Sequence, residues 1–298
     1  MCRAFTLLFC LFVSFFSEVE AAETKTVAIT QIAAHPSLDK IRQGVIDALA
    51  QAGFKEGQNL ELSYDNAQGN PTTAAQIAQK IAAVRPDVAV AITTPSAQAA
   101  YKVLKPQGVP VIFAGVSDPV AAKLVQDLDH PGAGITGSVD RLDAAAQLAE
   151  ILKMKTDLKR LGVIYSAGEA NSVAYLKELK HAAQSLGLEV VEASLSKTAE
   201  VSQVTLSLVG RVDAVLIPTD NTVVSALESV LKVAKARQLP VFVSDPDSFE
   251  RGADAAVFLD QYAIGVAAGQ LVAKILSGQK IETLAPVILK EMKVKSRS

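Results

Sequence analysis

RPDVAVAITTPSAQA, residues 85–99, has a counterpart 126 residues later in RVDAVLIPTDNTVVSA, residues 211–226. Each pairs a basic residue with an aspartate and then runs through a continuous apolar strand. Each ends in a cluster of polar groups just before a helix of small and apolar residues. The likeness continues on both sides. Downstream, both helices lead into a proline-led strand, VPVIFAGVSDP from Val109 and LPVFVSDPDS from Leu239. Upstream, TVAIT and a helix ending near Gly53 are matched by LGVIYSAGEANSVAYLKELKHAAQSLGL from Leu161. The period far exceeds that of any solenoid repeat. Two similar α/β lobes are the economical reading.

Within each copy, apolar strands alternate with amphipathic helices, which predicts a parallel sheet covered by helices on both faces. Ligands of such sheets bind beyond the carboxyl ends of the strands. Those ends read TQIAAHPSLD, TTPSAQ, AGVSDP, YSAGEANS, PTDN and SDPDS. Turn and capping chemistry alone favours Ser, Thr, Asp and Asn at such places, so one polar tip says little. Six of them in two matched halves predict a cleft between facing lobes.

The rest of the chain narrows the class. Its 298 residues exceed one typical domain, and 29 basic residues balance 31 acidic ones. There is no basic stripe of the kind nucleic acid requires, and the tail KEMKVKSRS reads as a solvated end. MCRAFTLLFCLFVSFFSEVEAAETK reads as an export signal, with a basic Arg3, an apolar core over 4–16 and a small-residue cleavage site before Ala22. That core is shorter than a membrane span. Cys2 and Cys10 both lie in the segment to be removed, so the mature chain is expected to have no disulfide, thiol nucleophile or cysteine metal site. GAGITG, residues 132–137, matches the dinucleotide string but follows a loop rather than a strand, so nucleotide binding is rejected. No Walker sequence or nucleophile elbow occurs. His35, His130 and His181 share no metal-ligand spacing. No base–nucleophile pair is identifiable, so neither catalysis nor a cofactor is expected.

With the tips in view the chain resembles the ABC-transporter substrate-binding proteins of tryptophan and tyrosine uptake, of type I periplasmic binding protein fold. TQIAAHPSLD, AITTPSAQAA, FAGVSDPVAAKLV, GVIYSAGEANSV, IPTDNTV and DQYAIG carry the resemblance. It implies two Rossmann-like lobes joined by three crossovers, with a small ligand closed between them. It also implies periplasmic residence and a membrane permease with its ATPase as partner, for a protein acting as a monomer and not as an enzyme. GITGS and AAVFLDQ are the expected crossovers. Lobe one is then expected over 22–137 and 257–284, and lobe two over 138–256 and 285–298, after a signal over 1–21.

An amino acid between such lobes assigns the tips as follows. Thr93, Thr94, Ser96 and Ser117 would meet the carboxylate. Asp220, with Asp245 next, would meet the ammonium, and Asp118 or Glu169 could serve instead. Asn171 and Ser172 would close over the polar end, with Gln31, His35, Tyr165 and Asn221 completing the wall. A helix terminus contributes about 0.3–1 kcal/mol and up to ~2 when partly buried. Burying an aromatic side chain of roughly 150–250 Å² at about 25 cal/mol per Å² offers on the order of 4–6 kcal/mol. The side-chain pocket therefore sets affinity. The chain has no Trp, which leaves Phe113, Tyr165, Phe249, Tyr262 or His35 to form it. A branched-chain amino acid, an amide or a sugar is the alternative ligand, and a solute sensor the alternative role.

Overall fold

The structure, a computed structural model, describes residues 23–129, 132 and 134–297. The expected signal with Cys2 and Cys10, the cleavage site at Ala22, and His130 lie outside these residues. In chain order the elements are β1 (Lys25–Gln31), α1 (Pro36–Gln51), β2 (Leu60–Asn66), α2 (Pro71–Val84), β3 (Val88–Ile92), α3 (Thr94–Leu104), β4 (Val111–Ala114) and β5 (Ile135–Val139). There follow α4 (Ala144–Met154), β6 (Arg160–Ser166), α5 (Ala170–Ser185), β7 (Glu189–Leu195), α6 (Val201–Leu208), β8 (Ala214–Ile217), α7 (Asn221–Ser225), α8 (Leu227–Ala236), β9 (Val241–Val243), α9 (Pro246–Glu250) and β10 (Ala255–Leu259). The chain ends in α10 (Gln261–Leu276), β11 (Val287–Ile288) and β12 (Met292–Ser296). Two six-stranded sheets result, ordered β11-β5-β4-β3-β1-β2 and β12-β10-β9-β8-β6-β7. Every pairing is parallel except that of β12 with β10.

The central strands are buried along their whole length, which the continuous apolar runs required. The aspartate shared by the two repeated stretches does the same job in each lobe. Asp87 Oδ2 accepts from the backbone N–H and the hydroxyl of Thr26, at 2.7 and 2.8 Å, tying the start of β3 to that of β1. Asp213 Oδ2 accepts from the N–H groups of Arg160 and Lys159, at 2.7 and 3.1 Å, tying β8 to β6. Both carboxylates satisfy amides at strand ends that the ladders leave open.

Strand pairing draws the lobe boundaries away from the expected 137/138, 256/257 and 284/285. Ser138 and Val139 pair with Val287 and Ile288 in the first sheet. Val257, Phe258 and Leu259 pair with Val294, Lys293 and Met292 in the second. The chain thus changes lobe just after β5, just after β10, and between β11 and β12. Gly137 of the expected crossover GITGS lies within β5, where a Cβ would run into Phe113. On re-entering lobe one, α10 packs tightly along α1. Gly44 on α1 and Gly265 and Gly269 on α10 face the opposing backbone, and a Cβ on Gly269 would lie 2.6 Å from Val45 O. This seam fixes where the first turns of α1 stand over the sheet.

A polar cleft between the lobes

The strand tips meet in one cleft with a volume of about 420 Å³, part of it open to solvent. Lobe one contributes His35, Ser37, Leu38 and Ile41 from the start of α1, Thr93 and Thr94 from the β3–α3 junction, and Gly115 and Ser117 after β4. Lobe two contributes Asn171 from α5, Thr219, Asp220, Asn221 and Val224 around α7, and Asp245 before α9. Asp140 and Gln261 enter from the two crossovers that follow β5 and β10. The lobes touch directly across this space. Ser37 Oγ donates to Asp245 Oδ1 at 2.6 Å, and Lys40 Nζ pairs with Asp247 at 2.6 Å.

The two walls differ in polarity. On lobe one, neither α1 nor α3 has a side-chain cap, and proline in the first turn of each removes one competing donor. The N-cap of α3 is Thr93, a β-branched residue at φ 77°. Such backbone costs on the order of 1–3 kcal/mol and collects at ligand sites. Its hydroxyl, buried and unpartnered, does not cap the helix; neither does that of Ser96. The open amides of α3 therefore carry the positive end of the helix dipole toward the cleft.

On lobe two, α7 and α9 are capped by carboxylates. Asp220 accepts from Val223 N at 2.8 Å, Ser166 N at 2.6 Å and Ser172 Oγ at 2.6 Å. Desolvation, reinforced by the nearby Glu169 charge, still raises its pKa to about 7. Asp245 Oδ1 accepts from Ser37 Oγ and from Ser248 N at 2.8 Å, while its Oδ2 is buried with no partner. At the crossover after β5, Asp140 accepts from Ser117 Oγ at 2.8 Å, and desolvation pushes its pKa up to about 6. Burial lowers the pKa of His35 despite the neighbouring Asp245 carboxylate. Neither ring nitrogen of this histidine has a partner.

Of the residues expected from the sequence, His35, Thr93, Thr94, Ser117, Asn171, Asp220, Asn221 and Asp245 all line the cleft. Ser96 is buried close behind the α3 start, and Ser172 supports Asp220 from within lobe two. The others are used elsewhere. Glu169 accepts from the backbone and side chains of both Asn221 and Thr222, which occupies its two oxygens. Gln31 turns back to Ala33 O and Asp39. Asp118 caps the following turn through Val120 N and Ala121 N and faces an adjoining pocket. Tyr165 bonds Glu192 on the neighbouring strand. Phe113 is core, Phe249 packs under Arg297 at 4.6 Å, and Tyr262 is exposed and bonds Asp47. Of the proposed ring contacts only His35 reaches the cleft.

Ser37, Leu38, Ile41, Gly115, Asp140, Thr219, Val224 and Gln261 escaped the sequence reading. Asp140 had a usable signal, since it follows the strand ITGSV. Treating GITGS as a crossover removed that strand's tip from consideration. Leu38 and Ile41 carried none, because an apolar i, i+3 pair reads the same against a core or a ligand. Among the described residues no group of three or more His, Cys, Asp or Glu side chains could hold a metal ion. No helix among them is long and apolar enough to cross a membrane.

The model of a protein family described as "ABC transporter substrate binding protein" matches residues 26–295. A tyrosine-binding protein of Clostridioides difficile is 36% identical over 277 residues, covering 93% of this chain and 80% of that one. The L-Trp complex of an ABC domain from Streptococcus pneumonia superimposes with a TM-score of 0.88 at 31% identity, over 91% of both chains. The ligand-free, open structure of a Clostridium difficile substrate-binding protein reaches only 0.68 over 91% of both chains, although its identity is higher at 36%. The shape is nearer to that of the L-Trp complex than to that of the open, ligand-free structure, in keeping with the direct contacts between the lobes. The chain belongs to the ABC transporter substrate-binding protein family.

Proposed function

We propose that this protein binds an aromatic L-amino acid between its lobes and delivers it to an ABC importer on the outer side of the cytoplasmic membrane. The observation that carries this reading is the polarity split of the cleft. Open helix amides and unpartnered hydroxyls line the lobe-one side, and capping carboxylates line the lobe-two side. A zwitterion suits that arrangement, with its carboxylate on Thr93, Thr94 and the α3 start and its ammonium on lobe two. Asp245 Oδ2 is the free acceptor there. Asp220, with three donors already, has room for one more bond and lacks a counter-charge. The names of two relatives, one tyrosine-binding and one bound to L-Trp, support the aromatic class. In this role the protein is a monomeric carrier that catalyses no reaction and hands its ligand to a permease.

Calorimetric titration of the purified protein with tryptophan, tyrosine, phenylalanine and leucine tests the proposal. Binding of at least one aromatic amino acid in preference to leucine is the expected result. Preference for leucine, or no binding of any of the four, would overturn it.

A further inference from the structure

The cleft carries more negative charge than one ammonium would neutralise. Asp140, Asp220 and Asp245 all line it, and among the described residues that do so none is a lysine or arginine. His35, the other titratable group in the wall, is held toward its neutral form by burial. Cations on the surrounding elements are paired elsewhere, Lys40 with Asp247, Arg42 with Asp39, Arg251 with Glu228 and Arg141 with Glu178. A ligand carboxylate at the α3 start would therefore meet only neutral hydroxyls, amides and the end of one helix dipole. Asp140 stands beside that place. Thr93 N–H donates to Ala114 O at 2.9 Å, which brings Thr93 alongside the neighbouring Gly115. A Cβ on Gly115 would lie 3.7 Å from Asp140 Oδ2, while the hydrogen bond from Ser117 engages the other oxygen. On lobe two, Asp245 Oδ2 is buried and has no partner.

We infer that the cleft requires its ligand's ammonium and tolerates loss of its carboxylate, so that it also binds the primary amines left when an aromatic amino acid loses its carboxyl group. This rests on the proposed aromatic amino-acid ligand and extends the ligand class of that site. An ammonium gives a buried carboxylate the partner it lacks, and removing one member of such a pair costs a factor of about 30 or more. A helix end favours a carboxylate by a factor of about 2–5, and up to about 30 when partly buried. The Asp140 charge beside it opposes even that gain. No buried charge is stranded when the carboxylate is absent, since it leaves behind neutral hydroxyls and amides. Desolvation without a counter-charge raises the pKa of both Asp140 and Asp220, a cost that an incoming cation relieves.

Titrating the whole protein with tryptophan, tryptamine and indole-3-propionate, and with tyrosine, tyramine and 3-(4-hydroxyphenyl)propionate, tests the inference. In the series whose amino acid binds, the amine should bind at least about 30-fold tighter than the acid. It should also stay within about 30-fold of the amino acid, the most that a helix end contributes. Of Asp245→Asn and Asp220→Asn, at least one should weaken the amine while leaving the acid nearly unchanged. A smaller gap between amine and acid overturns the inference and leaves the proposed function standing. So does an amine that falls further below its amino acid, or a pair of folded variants that bind the amine as the parent does. A parent that takes an amine but neither amino acid overturns the proposed function and upholds the requirement for an ammonium. One that binds none of the six overturns both.

Discussion

Asp220 and Asp245 occupy equivalent places in the sequence pattern, yet their surroundings give them different work. Asp220 holds three donors inside lobe two. Asp220→Ala should therefore cost stability, on the order of 2–4 kcal/mol for a lost cap and stranded buried donors, visible as a lower urea midpoint. Asp245 keeps an oxygen free, so Asp245→Asn should leave the urea midpoint nearly unchanged. Its amino-acid affinity should fall by a factor of about 30 or more in titration, as when a buried charge loses its partner. Two raised carboxyls also set the pH response. A native pKa above the unfolded value means that the native state holds more protons. The stability this brings is fully present below about pH 4 and is lost as pH rises through about 6 for Asp140 and about 7 for Asp220. For Asp140 alone the loss is on the order of 3 kcal/mol. Thermal melts of the unliganded protein should fall between pH 5 and 8, and Asp140→Asn should flatten that slope.

At the scale of elements, the seam between α1 and α10 holds the α1 wall of the cleft in place. A Cβ on Gly265 would run into the backbone of Ile41, whose side chain lines the cleft. Gly265→Ala should lower stability by about 1–3 kcal/mol, the usual cost of overpacking, and weaken ligand binding as well because α1 must shift. Circular dichroism melts and titration together check both effects. The repeated aspartates belong to this scale too. Asp87 and Asp213 stand before two matching strands, and they fasten the central strand of each lobe to its neighbour.

Across the whole molecule, closure joins two half-sites. Lys40–Asp247 is half-exposed on the lysine side and worth at most about 1 kcal/mol. The bond from Ser37 to Asp245 is buried and engages a cleft-lining carboxylate. Ser37→Ala should therefore weaken binding several-fold while Lys40→Ala changes it little, as titration of the two variants would show. A ligand at 100 times its Kd adds about 2.7 kcal/mol to the native state. The melting temperature should rise by roughly 5–10 °C, and small-angle scattering should show a smaller radius of gyration than for the ligand-free form.

The two-lobed α/β architecture was legible in the chain because buried parallel strands must be written as apolar runs and because the pattern occurs twice. The polar tips were legible for the same reason, since strand ends in such sheets point at the ligand. Local sequence could not tell which tip residues face the cleft. Glu169 and Asp220 carry similar charges at similar positions, and only packing turns Glu169 onto the α7 amides. The lobe boundaries rest on pairings between strands that are not neighbours in the chain, Ser138 with Val287 and Val257 with Val294. Leu38, Ile41, Gly115 and Asp140 come together in the cleft only when α1, the β4 turn and the crossover after β5 converge. Periodicity records that a face is buried; what it is buried against is set by long-range contacts.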